Sequence, residues 1–212
     1  MDAGRIATDR FWNILPFDEI PSTNEYLKAN CGSLPDGTVA VAARQTAGRG
    51  RRGRAFDSQG ALCMSLLVKN AGQAPPLSLL CGLAVCEALG EDARLKWPND
   101  VLLNGKKVCG ILCEAVHTGV FASAVCGIGV NLAQSPSWFA ARGLTGASSL
   151  KIETGGDPDF SDTAHRILLA AGRLLAKARR DPAAVVEGVR ARCATLGKEV
   201  AVHRHEAYVR KH

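Results

Sequence analysis

Aromatic residues make up only 5% of this chain, too few for a single-strand nucleic-acid platform that stacks bases on interleaved rings. No apolar run approaches the roughly 20 residues that a membrane-spanning helix requires. The start, Met1-Asp2-Ala3-Gly4-Arg5, is polar and no apolar segment follows it, so a secretory leader is not expected and a cytoplasmic protein is. Gly127-Ile128-Gly129 lacks the third glycine and following helix of a dinucleotide-binding fingerprint, and no Gly-Lys-Ser/Thr stands anywhere in the chain. None of the eight cysteines forms a Cys-x-x-Cys pair or has a histidine at zinc-site spacing. Without export, they are expected to be buried free thiols packing as small hydrophobes.

With 212 residues, 47% of them hydrophobic, the chain suffices for one well-cored domain. The net charge of +6 is modest, and much of it gathers in one loop and at the C-terminal end. That suits an anionic ligand better than duplex DNA, which calls for a broad basic face. Gly48-Arg49-Gly50-Arg51-Arg52-Gly53-Arg54 packs four arginines and three glycines into seven residues, directly after the strand-like Val39–Ala43. Glycine lets the backbone turn and approach a ligand closely. Arginine brings permanent charge and a planar fork matched to phosphate and carboxylate oxygens. Such a loop should close over an anion.

Periodicity predicts mixed strands first and helices later, an α+β fold around a mixed β-sheet flanked by helices. Phe11–Ile20 reads as a strand broken by Pro21. Ser22 or Thr23 caps a short helix through Lys28, with Glu25 completing a capping box. Strands follow at Thr38–Gln45 and Ala61–Val68, then a helix over Leu77–Leu89 stopped by Gly90. Arg94–Trp97 is a short strand ending at Pro98. Asn104-Gly105 between Val101–Leu103 and Lys106–Val116 predicts a hairpin, and Phe121–Val130 returns as another strand. Ser161 is expected to cap a helix over Asp162–Arg180, and Asp181-Pro182 to open one reaching about Leu196. Val200-Ala201-Val202 reads as a brief last strand.

Chemistry-bearing residues cluster at strand ends. Lys96-Trp97-Pro98-Asn99-Asp100 sets a carboxylate after a proline turn. Lys107 opens the otherwise apolar Lys107–Cys113, so its ammonium either snorkels at the core rim or points into a cleft. A cation held at a strand start is what a developing phosphoryl charge requires. Taken in order, Ser22-Thr23-Asn24, Gln45 through Arg54, Lys96–Asp100, Lys107 with Gly110-Ile111-Leu112 and Glu114, and Gly127–Leu132 resemble the biotin–protein ligases over roughly residues 12 to 200.

The resemblance implies a catalytic domain like those of class II aminoacyl-tRNA synthetases. It implies a reaction in which the biotin carboxylate attacks the α-phosphate of ATP, with Mg²⁺, to give biotinyl-5′-AMP. A lysine of an acceptor, the biotin carboxyl carrier protein of a carboxylase, then displaces AMP. By the same resemblance Ser22, Thr23, Asn24 and Gln45 bind the biotin head, with Gly110 and Leu112 lining its pocket. Gly48, Arg49, Gly50 and Arg51 order over the substrate, with Arg51 near the adenylate phosphate. Lys107 bridges carboxylate and α-phosphate, and Asp100 positions Mg²⁺ or the incoming amine. Arg52, Arg54, Phe56 and Asn131 serve ATP, Phe56 covering adenine; no residue is expected to form a dedicated protein metal site.

The chain departs from the family in lacking an N-terminal helix-turn-helix, so no DNA binding is expected. Residues 197–212 correspond to a remnant of the family's small C-terminal β-domain, after a catalytic domain over 1–196. A homodimer through the sheet edge is possible by the resemblance. Lipoate or octanoate ligases and transferases share the fold and are the alternative, but lack the Gly-Arg-Gly-Arg-Arg-Gly loop.

Overall fold

The computed structural model describes residues 6, 11–70, 76–118 and 121–199. Seven strands form one mixed sheet in the order β1-β2-β3-β7-β6-β5-β4. β1 (Asn13–Ile20) and β2 (Thr38–Gln45) run parallel, and α1 (Thr23–Ala29) bridges them. β2 pairs antiparallel with β3 (Ala61–Val68). The remaining strands, β4 (Arg94–Lys96), β5 (Asp100–Leu103), β6 (Lys106–Thr118) and β7 (Phe121–Asn131), form an antiparallel meander that joins β3 through β7. The β5–β6 turn is the one expected: Asn104 and Gly105 both take positive φ, 50° and 79°, as a two-residue hairpin loop of this hand demands.

One face of the sheet carries the main core. Met64, Leu66, Ile111, Cys126 and Ile128 pack with Leu80 and Leu83 of α2 (Leu77–Leu89) and with Ile167 and Leu168 of α5 (Phe160–Arg180). Burying a side chain of this size contributes about 1.5–3 kcal/mol, so this layer supplies most of the driving force. α2 is buried on nearly every side rather than along one stripe, because it lies between the sheet and α5. α1 covers the other face at one end, over Ala40, Leu67 and Val125, with Leu27 and Cys31 pointing in. Beyond α1 that face carries Cys63, Ser65, Gly110, Gly127 and Gly129, all small, and there a cavity opens.

Two helix ends differ from expectation. The cap of α5 is Asp159, whose carboxylate accepts from Asp162 N at 2.7 Å; Ser161 is buried within the first turn. α6 (Pro182–Arg192) stops short of Leu196. Ala194 N donates to Leu95 O at 2.7 Å, so the chain leaves the helix to pair with β4 at the sheet's open edge. Two short helices, α3 (Pro136–Ala140) and α4 (Leu150–Thr154), sit in the loop between β7 and α5. The strand expected at Val200–Val202 lies outside the described residues. No helix among the described residues is long and apolar enough to cross a membrane.

Candidate functional site

The uncovered part of the sheet, α1, the loop after β2 and the segment after β7 enclose a cavity of about 630 Å³. One end is polar and tightly bonded. Thr23 donates to Gln45 Oε1 from its backbone N at 2.8 Å and from its hydroxyl at 3.1 Å. The same hydroxyl lies 2.6 Å from Ser65 Oγ, and Ser65 donates to Asn24 Oδ1 at 2.6 Å. Asn24 Nδ2 donates to Leu112 O at 3.2 Å and to Glu114 at 2.9 Å. These bonds fix α1 against the sheet and hold the four side chains in one orientation. Ser22 caps α1 through its hydroxyl, which accepts from Glu25 N at 3.4 Å. Glu25 does not close the expected capping box; its carboxylate pairs with Lys28 at 2.8 Å.

Gln45 is held in turn by Ser58, which accepts from Gln45 N at 2.9 Å and donates to Gln45 O at 3.1 Å. Cys63 also lines this end; burial pushes its thiol up to about 12, against a smaller lowering by its bond to Gln45, so it is a neutral wall. Partial burial raises the Glu114 carboxyl, but hydrogen bonds from Lys28 and Asn24, with the charge of Lys28, outweigh it and hold Glu114 below the ordinary value. Burial lowers the Lys28 ammonium, and its bonds to Glu114 and Glu25 return it above the usual lysine range.

The other end is cationic. Arg49, Arg51, Arg52, Arg54 and Lys107 all line it. Lys107 Nζ stands 2.7 Å from Asp100 Oδ1, an ion pair at the start of β6. Gly110 lies beside the pair: a Cβ there would be 3.4 Å from Lys107 Nζ and 3.9 Å from Asp100 Oδ1, ordinary contact distances. The arginine loop is a small hairpin: Phe56 N donates to Gly48 O at 2.9 Å and Gly50 N to Arg54 O at 2.7 Å. Arg52 and Gly53 turn its tip at φ 59° and 72°. Arg51 donates to Asn99 Oδ1 at 2.6 Å, and Asn99 is anchored to β6 through Ile111 N and O.

Of the residues singled out in the sequence, Ser22, Thr23, Asn24, Gln45, Arg49, Gly50, Arg51, Arg52, Arg54, Phe56, Asp100, Lys107, Gly110, Leu112 and Asn131 all line this one cavity. Gly48 does not. It sits at the hairpin's base, where a Cβ would lie 2.6 Å from Phe56 O, and serves the loop's shape. The Phe56 ring lies over Gly129, so close that a methyl there would be 2.8 Å from Cζ. Asn131 donates to Ser148 O at 2.9 Å, tying β7 to the loop that also pairs with Lys107.

Sequence reasoning missed Ser65, Asn99 and the rim formed by Trp138 and Arg142. Ser65 had a signal, as the one hydroxyl within an apolar strand. Arg142 stacks 4.0 Å above Trp138 and pairs with Asp57 at 2.8 Å, across a sequence distance that no local pattern reveals.

Residues 16–131 match the model of the biotin/lipoate A/B protein ligase family. The bifunctional ligase/repressor BirA of Bacillus subtilis is 39% identical over 147 residues, 65% of this chain and 45% of that protein. The biotin--[acetyl-CoA-carboxylase] ligase of Mycobacterium tuberculosis is 34% identical over 199 residues, 85% of this chain and 71% of that one. Among solved structures, the Aquifex aeolicus biotin protein ligase in complex with biotin and ATP superposes with a TM-score of 0.75 at 32% identity, covering 88% of this chain and 80% of that one. The chain spans about half the length of the BirA relatives it matches.

Proposed function

Because the chain belongs to the biotin/lipoate A/B protein ligase family, we propose that it activates biotin with ATP and transfers it to a lysine of an acceptor protein. The names of two relatives give acetyl-CoA carboxylase as what they act on, and the acceptor here is taken to be the biotin carboxyl carrier protein of such a carboxylase. Residues through 196 would form the catalytic domain.

The observation that carries this reading is the cavity's two-ended polarity. At one end Thr23, Asn24, Gln45 and Ser65 present hydroxyl and amide groups in a fixed array. The ureido ring of biotin, with two N–H donors and one carbonyl acceptor, can satisfy such an array. The dithiolane of lipoate and the chain of octanoate have no such groups. Either would forgo the hydrogen bonds that this array, already ordered by its own internal bonds, can offer a polar head group, which favours biotin.

The cationic end suits the chemistry. A biotin carboxylate oxygen would attack the α-phosphorus of ATP, and the bond to the pyrophosphate oxygen would break. The two reactants are both anions. Lys107 would leave its pair with Asp100 to bridge carboxylate and α-phosphate, stabilising the charge that builds between them. Arg49 and Arg51 would hold the loop over the mixed anhydride and keep water from it. In the second step a lysine amine attacks the biotinyl carbonyl, AMP departs with the bonding electrons, and the amine's proton is lost. Phe56, over Gly129, would face adenine, with Arg52 and Arg54 along the phosphates. Mg²⁺ fits here as an ion arriving with the triphosphate, since such sites use one or two carboxylates and retain waters. The carboxylate of Asp100, freed once Lys107 leaves their 2.7 Å pair, and the amide oxygen of Asn131 would hold it. Its role would be to offset charge on the phosphates.

Exchange of labelled pyrophosphate into ATP tests the reading. Exchange that depends on biotin is expected. Exchange supported by lipoate or octanoate and not by biotin would overturn it.

A further inference from the structure

Behind the sheet, on the face away from the cavity, three cysteines from three elements converge. Cys81 comes from α2, Cys113 from β6 and Cys126 from β7. Cys113 and Cys126 stand directly opposite each other in the β6–β7 ladder, and α2 sets Cys81 over the pair. Their three sulfurs all lie within 4.8 Å of one another, and all three are free thiols. Among the described residues this is the one cluster of three or more metal-ligand side chains.

We propose that Cys81, Cys113 and Cys126 form a binding site for a thiophilic d¹⁰ metal ion of the zinc class. An ion bonded to sulfur at about 2.3 Å holds its sulfurs about 3.8–4.0 Å apart. The observed span is within about 1 Å of that, so the ligands need little movement to close on an ion. The site also has an entrance. Cys81 and Cys126 are fully enclosed, but Cys113 is half-buried and lines a separate cleft of about 210 Å³ with Arg51, Ser78, Pro98 and Asn99. A fourth ligand, water or a small anion, can reach the ion from that side, as in three-ligand zinc sites.

Binding balances as one dication plus three thiols giving a tris-thiolate complex of charge −1 and three protons released through the cleft. The guanidinium of Arg51, on the same cleft, offers compensating charge. Packing alone accounts for single thiols such as Cys31 and Cys86, which behave as small hydrophobes. It does not account for three donors from three elements converging beside an opening. Cys109 shares the face and lies outside the cluster. The site rests on this geometry and is independent of the proposed ligase activity.

The test is a titration of the reduced, metal-free full-length protein with Cd²⁺ under nitrogen, following the sulfur-to-cadmium charge-transfer band in the ultraviolet. Saturation at one equivalent, with a band of three-sulfur intensity that Zn²⁺ displaces, is expected. Cys113→Ser, at the half-exposed position, should weaken binding at least tenfold and remove about a third of the band; Cys109→Ala should change neither. Alkylation mapping of the unmutated protein serves where a variant fails to fold: Cd²⁺ should protect Cys81, Cys113 and Cys126 together. No saturable uptake, an unaltered titration in folded Cys113→Ser, or protection confined to other cysteines would overturn the site.

Discussion

Gly127→Ala is the sharpest probe of the polar end of the cavity. A Cβ at this position would lie 3.0 Å from Asn24 Cγ, 3.3 Å from its Nδ2 and closer still to Oδ1. The backbone tolerates alanine, since Gly127 is not among the glycines with positive φ. The whole effect therefore falls on Asn24. That side chain is short, buried, and held by Ser65 at 2.6 Å, Glu114 at 2.9 Å and Leu112 at 3.2 Å, so it cannot swing aside without breaking bonds. Losing two of the three at about 1 kcal/mol each predicts about 2 kcal/mol of lost stability. A misplaced amide should weaken biotin binding about 10–100-fold. Gly129→Ala is the matched control. Its methyl would press on Phe56 Cζ at 2.8 Å, so ATP affinity should fall while biotin binding is nearly unchanged. Calorimetric titration with each ligand, alongside thermal unfolding, reads both arms. Wild-type biotin affinity in folded Gly127→Ala, or equal loss of biotin in the two variants, would refute the assignment of the cavity's ends.

Lys107→Ala should slow adenylate formation about 10²–10³-fold while changing biotin affinity far less; single-turnover kinetics beside equilibrium binding checks this, and equal losses would mean uniform binding rather than transition-state stabilisation. Arg51→Gly removes the 2.6 Å bond to Asn99 that anchors the loop, and should let biotinyl-5′-AMP escape to label bystander lysines; mass spectrometry showing only the specific acceptor modified would contradict a lid role. Glu114 has a folded-state pKa below its ordinary value, because bonds to Lys28 and Asn24 outweigh its partial burial. Its contribution is therefore full above the unfolded carboxylate pKa of about 4.3 and is lost as pH falls through the lower folded value. Glu114→Gln should accordingly lower stability near neutral pH and flatten its acid limb, as urea unfolding across pH 2–7 would reveal.

Much of this architecture is local, and so was legible in the chain. β2 and β3 alternate with turn signals, and both strands begin and end where the residues change character. Asn104-Gly105 specifies its turn because both positions need positive φ. Errors arose where a neighbour overrode local preference. Ser161 is a good cap residue, yet Asp159 takes the position and Ser161 is buried. α6 could have run on, but the unpaired edge of β4 captured Ala194.

The candidate site divides along the same line. Composition and spacing alone identified the arginine loop, Lys107 and Asp100 as charged groups in places where a core does not need them, because charge and glycine content are properties of the residues themselves. Tertiary structure decided the rest. Ser65 is one hydroxyl in an apolar strand until α1 packs on the sheet and sets it between Thr23 and Asn24. Gly48 reads as a ligand contact until the hairpin turns it to the loop's base. Cys81, Cys113 and Cys126 look like three scattered core thiols until β6 and β7 pair and α2 packs across them. Each of these depends on contacts between residues far apart in the chain, and only the closing of the sheet and its helices brings them within bonding distance.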